Sequence, residues 1–500
     1  MKSWKIVFGA ATSLLLVGCA TLPADRGASV ANELLVTRSD TATDTPLTKS
    51  HDRQSQVQQL LATPLDANAA VRVALLQNPR MRLLYSELGL AQAEVYDASR
   101  LSNPSLGYMQ IGTDDVGYQT TWSLSQSFTE LLFIGYRTRV SRSQLLQAQQ
   151  RVADDVLTLE AEVRSAYYDY VGADLVARMR ARMANLAGAS AQYAQELFAA
   201  GNINALQLSR EQAQASETNV AQRAAEIEAK GALVKLMTLL SLPVEAASGN
   251  NPVQFVTNLP LAQPINGELP KLQAWAQQQR LDLIALREQV DMYEANLKHV
   301  RRWRWLGGVQ LDVEREIEAN GGAFTGVGGS VELPVFNQGG GHLLRARAGL
   351  ESAHTKLAAL QLEIANDIDA RYSGLQAAQA IVEEYRQRLV PLRERIVALS
   401  QQQQTYMLIG AFELIEAKRQ EMDTYQAYLE ALRDYWVAHT ELLRAAGGKL
   451  PEGMLAAAAP ESAKVDSGDA DTAEHHEHMM HGNHGSHDMS HEHGSQDNGR

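Results

Sequence analysis

Tyr118-Gln119-Thr120-Thr121-Trp122-Ser123-Leu124-Ser125-Gln126-Ser127-Phe128 is the stretch that decides the fold. Tyr118, Thr120, Trp122, Leu124 and Phe128 fall on one face, and Gln119, Thr121, Ser123, Ser125 and Ser127 on the other. Period 2 with one apolar and one polar face is a strand between two different media. After Phe128 the period changes. Val152, Val156, Leu159, Val163, Tyr167, Val171, Leu175, Met179, Met183 and Leu186 form a stripe at a helical step. No proline interrupts the chain from Ser105 to Leu242. A helix of some 50 residues would be about 75 Å long, more than a globular domain needs.

The same plan occurs twice. Ala74–Met81 resembles Ala276–Leu283, Ser125–Phe128 answers to Leu333–Phe336, and 200–204 answers to 409–413. The shared order and a spacing of roughly two hundred residues make an internal repeat. In the second copy Val309, Leu311 and Val313 alternate with Gln310, Asp312 and Glu314, and Val327, Val331, Leu333 and Val335 with Ser330 and Glu332. The turns 112–117 and 318–323 have hairpin chemistry. Each copy reads helix, strand, strand, long helix, long helix. Pro243, Pro252, Pro260, Pro264 and Pro270 mark the connector between them.

Four strands cannot close a barrel, and open sheet edges are not tolerated in lipid. The amphipathic strands therefore require partners; a trimer supplies twelve, enough for a channel-sized barrel with a polar lumen. Arg301-Arg302-Trp303-Arg304-Trp305, just before the third strand, fits a membrane interface or an exposed basic helix end. The net charge of −13 argues against nucleic acid. A single Cys, Cys19, excludes internal disulfides and Cys-rich zinc sites. No enzyme fingerprint stands in a supporting context; Gly326-Val327-Gly328-Gly329 lies in a strand, not at a helix start. The expectation is a protein that is not an enzyme.

The ends carry separate signals. Residues 1–18 have a basic start at Lys2 and Lys5 and a short apolar run, as in an export signal. Leu16-Val17-Gly18-Cys19 resembles a bacterial lipobox, which makes Cys19 the lipidation site. Residues 19–63 read as a lipidated, irregular N-terminal segment. Residues 448–500 form a tail of disordered composition. From residue 451 onward it holds ten acids against two bases. His475, His476, His478, His481, His484, His487, His491 and His493 are interleaved with Met479, Met480 and Met489. Imidazole and thioether without thiol point to copper first, with zinc as the alternative. His51, His299, His342, His354 and His439 stand singly and read as surface or packing residues.

The chain resembles the TolC-type outer-membrane factors over about residues 60–447. The resemblance rests on the lipobox, the duplication, the Asn78-Pro79 element, the strand-to-helix joins at Phe128 and Phe336, and the paired turns at Gly201 and Gly410. It implies a mainly α fold with a small β part: a long α-helical coiled bundle and four amphipathic strands per chain. Three chains would form a 12-stranded outer-membrane β-barrel on a periplasmic α-barrel tunnel. It implies a homotrimer in outer-membrane lipid of a Gram-negative cell, partnered by a periplasmic adaptor and a proton-driven inner-membrane pump, with no required cofactor. Gly201 and Gly410 would be the periplasmic tip turns, both suited to positive φ. Glu416 resembles an aperture acid of the family. Arg419 stands where some members carry a second acid, and Glu416 could instead simply pair with it.

The expected organisation is leader 1–18, lipidated segment 19–63, first repeat 64–242, connector 243–270, second repeat 271–447 and tail 448–500. Three functions stay open: an exit duct for heavy-metal ions such as copper, the same duct for organic toxicants with an incidental tail, or a poreless lipoprotein that stores metal through its tail.

Overall fold

The computed structural model describes residues 28–39, 41, 50–113, 117–248 and 252–454. The leader, Cys19 and residues 455–500, which hold the His/Met cluster, lie outside them. Residues 448–454 do not: Met454 is buried in the core and its carbonyl accepts from the Asn266 N–H at 2.9 Å, which corrects the expected start of the tail at 448. Short helices α1 (Ala28–Val36) and α2 (Ser50–Leu61) precede the first repeat. They correct the expectation of an irregular segment over 19–63. Burial of Ala28, Ala31 and Leu35 holds α1 against the main helix, a cue too sparse to see in sequence.

Helix α3 (Ala67–Gln77) is capped by Asp66, whose carboxylate accepts from the Ala69 amide. Asn78 ends it in extended conformation, and Pro79 opens α4 (Pro79–Ala98). Proline suits a first helical turn because its missing N–H would be unpaired there. Strands β1 (Ser105–Thr113) and β2 (Gly117–Ser127) follow, then α5 (Phe128–Ala199) and α6 (Ala205–Leu239). The second repeat mirrors this. It has α7 (Leu269–Gln279), α8 (Leu281–Trp303), β3 (Val309–Ile317), β4 (Ala323–Val331), α9 (Gly340–Glu384), α10 (Val390–Thr405) and α11 (Ala411–Ala445). Arg280 breaks α7 from α8 with φ −66° and ψ 123°, matching Asn78 at φ −61° and ψ 124°. Asn78-Pro79 is thus one copy of a repeated kink, and the second copy makes it without proline.

At 72 residues, α5 exceeds the expected length and spans about 110 Å. Most of its predicted stripe is buried, with Leu175 and Leu186 half-buried. Its counterpart in the second repeat is not one helix. Residues Tyr385–Leu389 form a π turn, closed by the Val390 N–H on the Tyr385 carbonyl. Pro391 lies just beyond. A proline inside a helix removes one donor and crowds the carbonyl four residues back, and a wider turn relieves both.

The join after β4 also departs from expectation. β4 ends at Val331, so Leu333 and Val335 do not continue it, and helix begins at Gly340, not at Phe336. Pro334 has no N–H to give a ladder, which ends the strand there. The copies are therefore joined unequally: β2 runs straight into α5, while residues 332–339 separate β4 from α9.

Between the repeats, the connector wraps the middle of the bundle. Buried Phe255 and Leu259 belong to its core. Three aromatic side chains fix its backbone. Tyr167 donates to the Val256 carbonyl at 3.2 Å, Tyr435 to Gln263 at 2.8 Å and the Trp436 indole to Pro260 at 2.7 Å. Arg444 ties the repeats together, donating to Asp154 and Thr158 on α5 at 2.8 Å each. Burial pushes the Asp154 carboxyl up, and the Arg444 guanidinium opposes that rise.

Gly448 closes this seam with φ +104°. A Cβ there would sit 2.5 Å from the Arg38 carbonyl oxygen and 3.1 Å from Leu157. Gly448→Ala should therefore lower the Tm by an amount corresponding to at least about 2 kcal/mol. Gly201→Ala, in open space at φ +75°, should cost about 1 kcal/mol. Thermal unfolding followed by circular dichroism compares the two; equal losses would contradict the seam.

Candidate channel site: the sheet, the tips and the aperture helix

The four strands form one antiparallel sheet in the order β1-β2-β3-β4. Register fixes its two faces. Leu106 pairs with Leu124, Tyr108 with Trp122, Leu124 with Val313, and Val313 with Val327. The opposite face pairs Ser105 with Ser125, Ser123 with Glu314, Ser125 with Asp312, and Thr121 with Glu316. One face is therefore predominantly apolar, while the other carries three carboxylates along β3. The alternation expected from Tyr118–Phe128 holds in space. There are departures: Met109, Ile111 and Phe324 lie on the polar face, and Arg315 lies on the apolar one. Leu106, Tyr108, Trp122, Val313 and Val327 are all exposed, so the apolar face is not packed within the chain. Among the described residues, the outer edges of β1 and β4 have no strand partner.

The helical tips correct the expected alignment. In the first turn Gly201 takes φ +75°, and the Asn202 N–H reaches the Leu197 carbonyl at 2.8 Å. In the second the left-handed residue is Met407 at φ +60°, and the Leu408 N–H reaches Gln403 at 2.9 Å. These are the same helix-ending motif. Gly410 is extended at φ −77° and caps α11, the place that Asn204 holds before α6. Gly201 thus corresponds to Met407, and Gly410 to Asn204. The glycine cue misaligned the copies because a non-glycine residue accepts the positive φ in one of them. Met407 is 92% exposed, and Tyr406 and Leu408 flank it in the open.

Glu416 lies on the second turn of α11. Arg419 grips its carboxylate through Nη2 at 2.6 Å and Nε at 2.8 Å, and Gln420 adds a bond at 2.8 Å. Arg419 also donates to Asp423 at 3.1 Å, and Asp423 lies 3.8 Å from Arg180 of α5. The Arg419 hydrogen bond holds the Glu416 carboxyl below the usual range. A half-exposed pair of this kind contributes about 0–1 kcal/mol. Glu416 and Arg419 line a cavity of about 180 Å³ together with Ser190, Glu211 and Phe412.

At mid-height the polar core was not legible. Buried Glu160 accepts from Ser39 at 2.6 Å, Thr41 at 2.8 Å and Arg164 at 2.8 Å. His439 borders the same cavity of about 680 Å³. Burial first, and Arg164 second, push its imidazole down to about 4. His299 stacks on Tyr136 at 3.7 Å, and His342 and His354 are exposed. Among the described residues no three His, Cys, Asp or Glu side chains are grouped to hold a metal ion. The His/Met tail and Cys19 lie outside those residues. None of the described helices is long and apolar enough to cross a membrane.

No protein-family model matches the sequence, and no curated protein matches it. Solved structures do. The outer-membrane channel OprN superposes with a TM-score of 0.64 at 18% identity, covering 87% of this chain and 96% of its own. The Campylobacter jejuni CmeC outer membrane channel gives 0.61 at 15%, covering 79% and 87%. CusC, whose structures concern transmembrane channel formation, gives 0.62 at 15%, covering 79% and 92%. The chain shares the fold of these channels, as the resemblance to TolC-type factors implied.

The sign of the His439 effect is fixed. An imidazole kept neutral in the fold and free to protonate when unfolded favours unfolding as pH falls from about 6.5 towards 4. Between pH 7 and pH 5 the wild type should lose on the order of 1 kcal/mol that His439→Gln does not lose. Paired Tm measurements at the two pH values check this; parallel losses would contradict it.

Proposed function

We propose that this protein is the outer-membrane exit duct of a tripartite efflux system, with heavy-metal ions, copper first, as its cargo. The observation that carries the duct is the single sheet with two open edges, one apolar and one polar face, on a bundle whose longest helix spans about 110 Å. Lipid does not tolerate open edges. Three copies supply twelve strands and remove every edge. The apolar face then meets lipid, and Asp312, Glu314 and Glu316 face the lumen. OprN and CmeC are outer-membrane channels by name, and that role is carried over here by the shared fold.

Transport through such a duct is passive. The chain needs no cofactor; an inner-membrane pump, proton-driven, supplies the work and a periplasmic adaptor bridges to the tips. The turns at 200–204 and 406–410 are the ends presented to that adaptor. The Glu416–Arg419–Asp423–Arg180 chain spans α11 and α5 near the tip as a weak link between the aperture helices. Cys19 carries the lipid anchor in the outer membrane. The metal reading rests on the tail, where eight histidines and the three methionines interleaved with them suit Cu or Zn. The tail gathers metal on the periplasmic side, with affinity falling as its histidines protonate below about pH 6.5.

A clean deletion strain, complemented with full-length protein or with a chain lacking 451–500, tests this on copper, zinc and an organic-drug panel. Metal hypersensitivity rescued fully only by the full-length chain is expected. Drug hypersensitivity with normal metal tolerance, rescued equally by both, would overturn the metal cargo and leave the duct.

A further inference from the structure

All four joins between helix and strand lie at one end of the sheet, since β1 and β3 enter from α4 and α8 and β2 and β4 leave to α5 and α9. Charge is segregated at that end. The chain as a whole has 58 acids against 45 bases. Residues 131–153, 295–311 and 333–350, which flank the strands, hold no Asp or Glu at all. Arg139, Arg142, Arg301, Arg302, Arg345 and Arg347 are exposed there, and none makes an ion pair among the described residues. A solvated helix face in this chain is ordinarily mixed, as the many pairs spaced by three or four residues attest. Exposed guanidinium groups without an ion pair, in windows free of acid, form a surface suited to an external anion.

The surroundings narrow the anion's class. Arg302 lies over the Trp303 ring at 5.5 Å and Arg304 over Trp305 at 4.7 Å. Trp303 is braced by Phe133 at 5.5 Å, while Trp305 is 56% exposed. The segment that separates β4 from α9 abuts this run. A Cβ on Gly339 would come within 3.0 Å of the Arg304 Cβ. That segment presents Leu333, Val335 and Phe336 outward, with Phe336 99% exposed. Guanidinium groups beside indole rings and bare apolar side chains match a molecule with an anionic head and an apolar body. Trp and Arg concentrate at such interfaces, and guanidinium binds phosphate oxygens in pairs.

We propose that the collar centred on Arg301, Arg302 and Arg304 binds the phosphate headgroup of an anionic phospholipid, whose chains lie along Leu333, Val335 and Phe336. The proposal rests on the sheet being membrane-embedded. Two adjoining carboxylates are already engaged: Glu130 lies 3.6 Å from Arg137, and Glu332 accepts from the Gly308 amide at 3.2 Å. Glu288 and Asp291 share a groove with Arg139 and Arg142, which sets the site's centre on the 301–304 run instead.

Full-length protein in neutral detergent, incubated with phosphatidylglycerol or phosphatidylcholine, tests this by native mass spectrometry. The wild type should retain phosphatidylglycerol over phosphatidylcholine by roughly tenfold or more. R301Q/R302Q should bring the two within about twofold at unchanged oligomeric mass, and R301K/R302K should fall between. Four results would overturn the site: no preference in the wild type, a preference untouched in R301Q/R302Q, displacement of the lipid by excess inorganic phosphate, or loss of the oligomer in R301Q/R302Q, which would mean that a neighbouring copy covers the arginines. Insertion into phosphatidylcholine vesicles is measured in parallel. Insertion without a lipid preference removes only this site; failure to insert removes the membrane reading as well.

Discussion

In the proposed duct, an unpaired strand edge in lipid is the constraint on which the rest depends. Each N–H and C=O left without a partner in hydrocarbon costs several kcal/mol. The sheet has such edges at β1 and β4, and its own chain offers nothing among the described residues to cover them. Its apolar face is left exposed, where the ordinary antiparallel sheet with one apolar face packs that face on a helix layer. The pressure to close is therefore intermolecular, and a number of copies that removes all edges is favoured over any smaller one.

The helical part answers the same demand by another route. A helix of 72 residues cannot bury its surface against a compact core. It is held instead by a seam at mid-height, where the connector, the end of α11 and the segment around Arg38 converge. Arg38 donates to the Gln279 carbonyl at 3.0 Å, Arg444 grips Asp154, and Tyr167, Tyr435 and Trp436 fasten the connector's backbone. Polar groups satisfied in this way specify one packing, where an all-apolar, Ala-rich stripe would tolerate several. Towards the tips such contacts thin out. The cross-helix link near Glu416 is an exposed ion chain worth little in water. Stiff at mid-height and lightly held at the tip is the distribution expected of a duct that opens at its far end.

Sequence reading was strongest where one physical period dominates. The strand faces were legible from Tyr118–Phe128 because side chains alternate strictly in a pleated strand. The long helices were legible from the stripe beginning at Val152 and from the absence of proline. The errors came where a single residue type stood in for geometry. Gly410 looked like the partner of Gly201, but Met407 takes the left-handed position. Val335 continued an alternation that Pro334 had already ended. The helices at Ala28–Val36 and Ser50–Leu61 were missed because the first buries only small faces and the second is largely polar. The core around Glu160, Ser39, Thr41 and Arg164 joins residues more than a hundred positions apart, and no local pattern announces it.

Reconstitution into a planar lipid bilayer tests the central claim most directly. Purified full-length protein, assembled as extracted from the membrane, should give discrete, long-lived conductance steps, because closure of the sheet and a continuous helical tunnel are one event. A protein that associates with the bilayer yet remains monomeric and never conducts would contradict the account, since its strand edges would then be satisfied by something other than copies of itself.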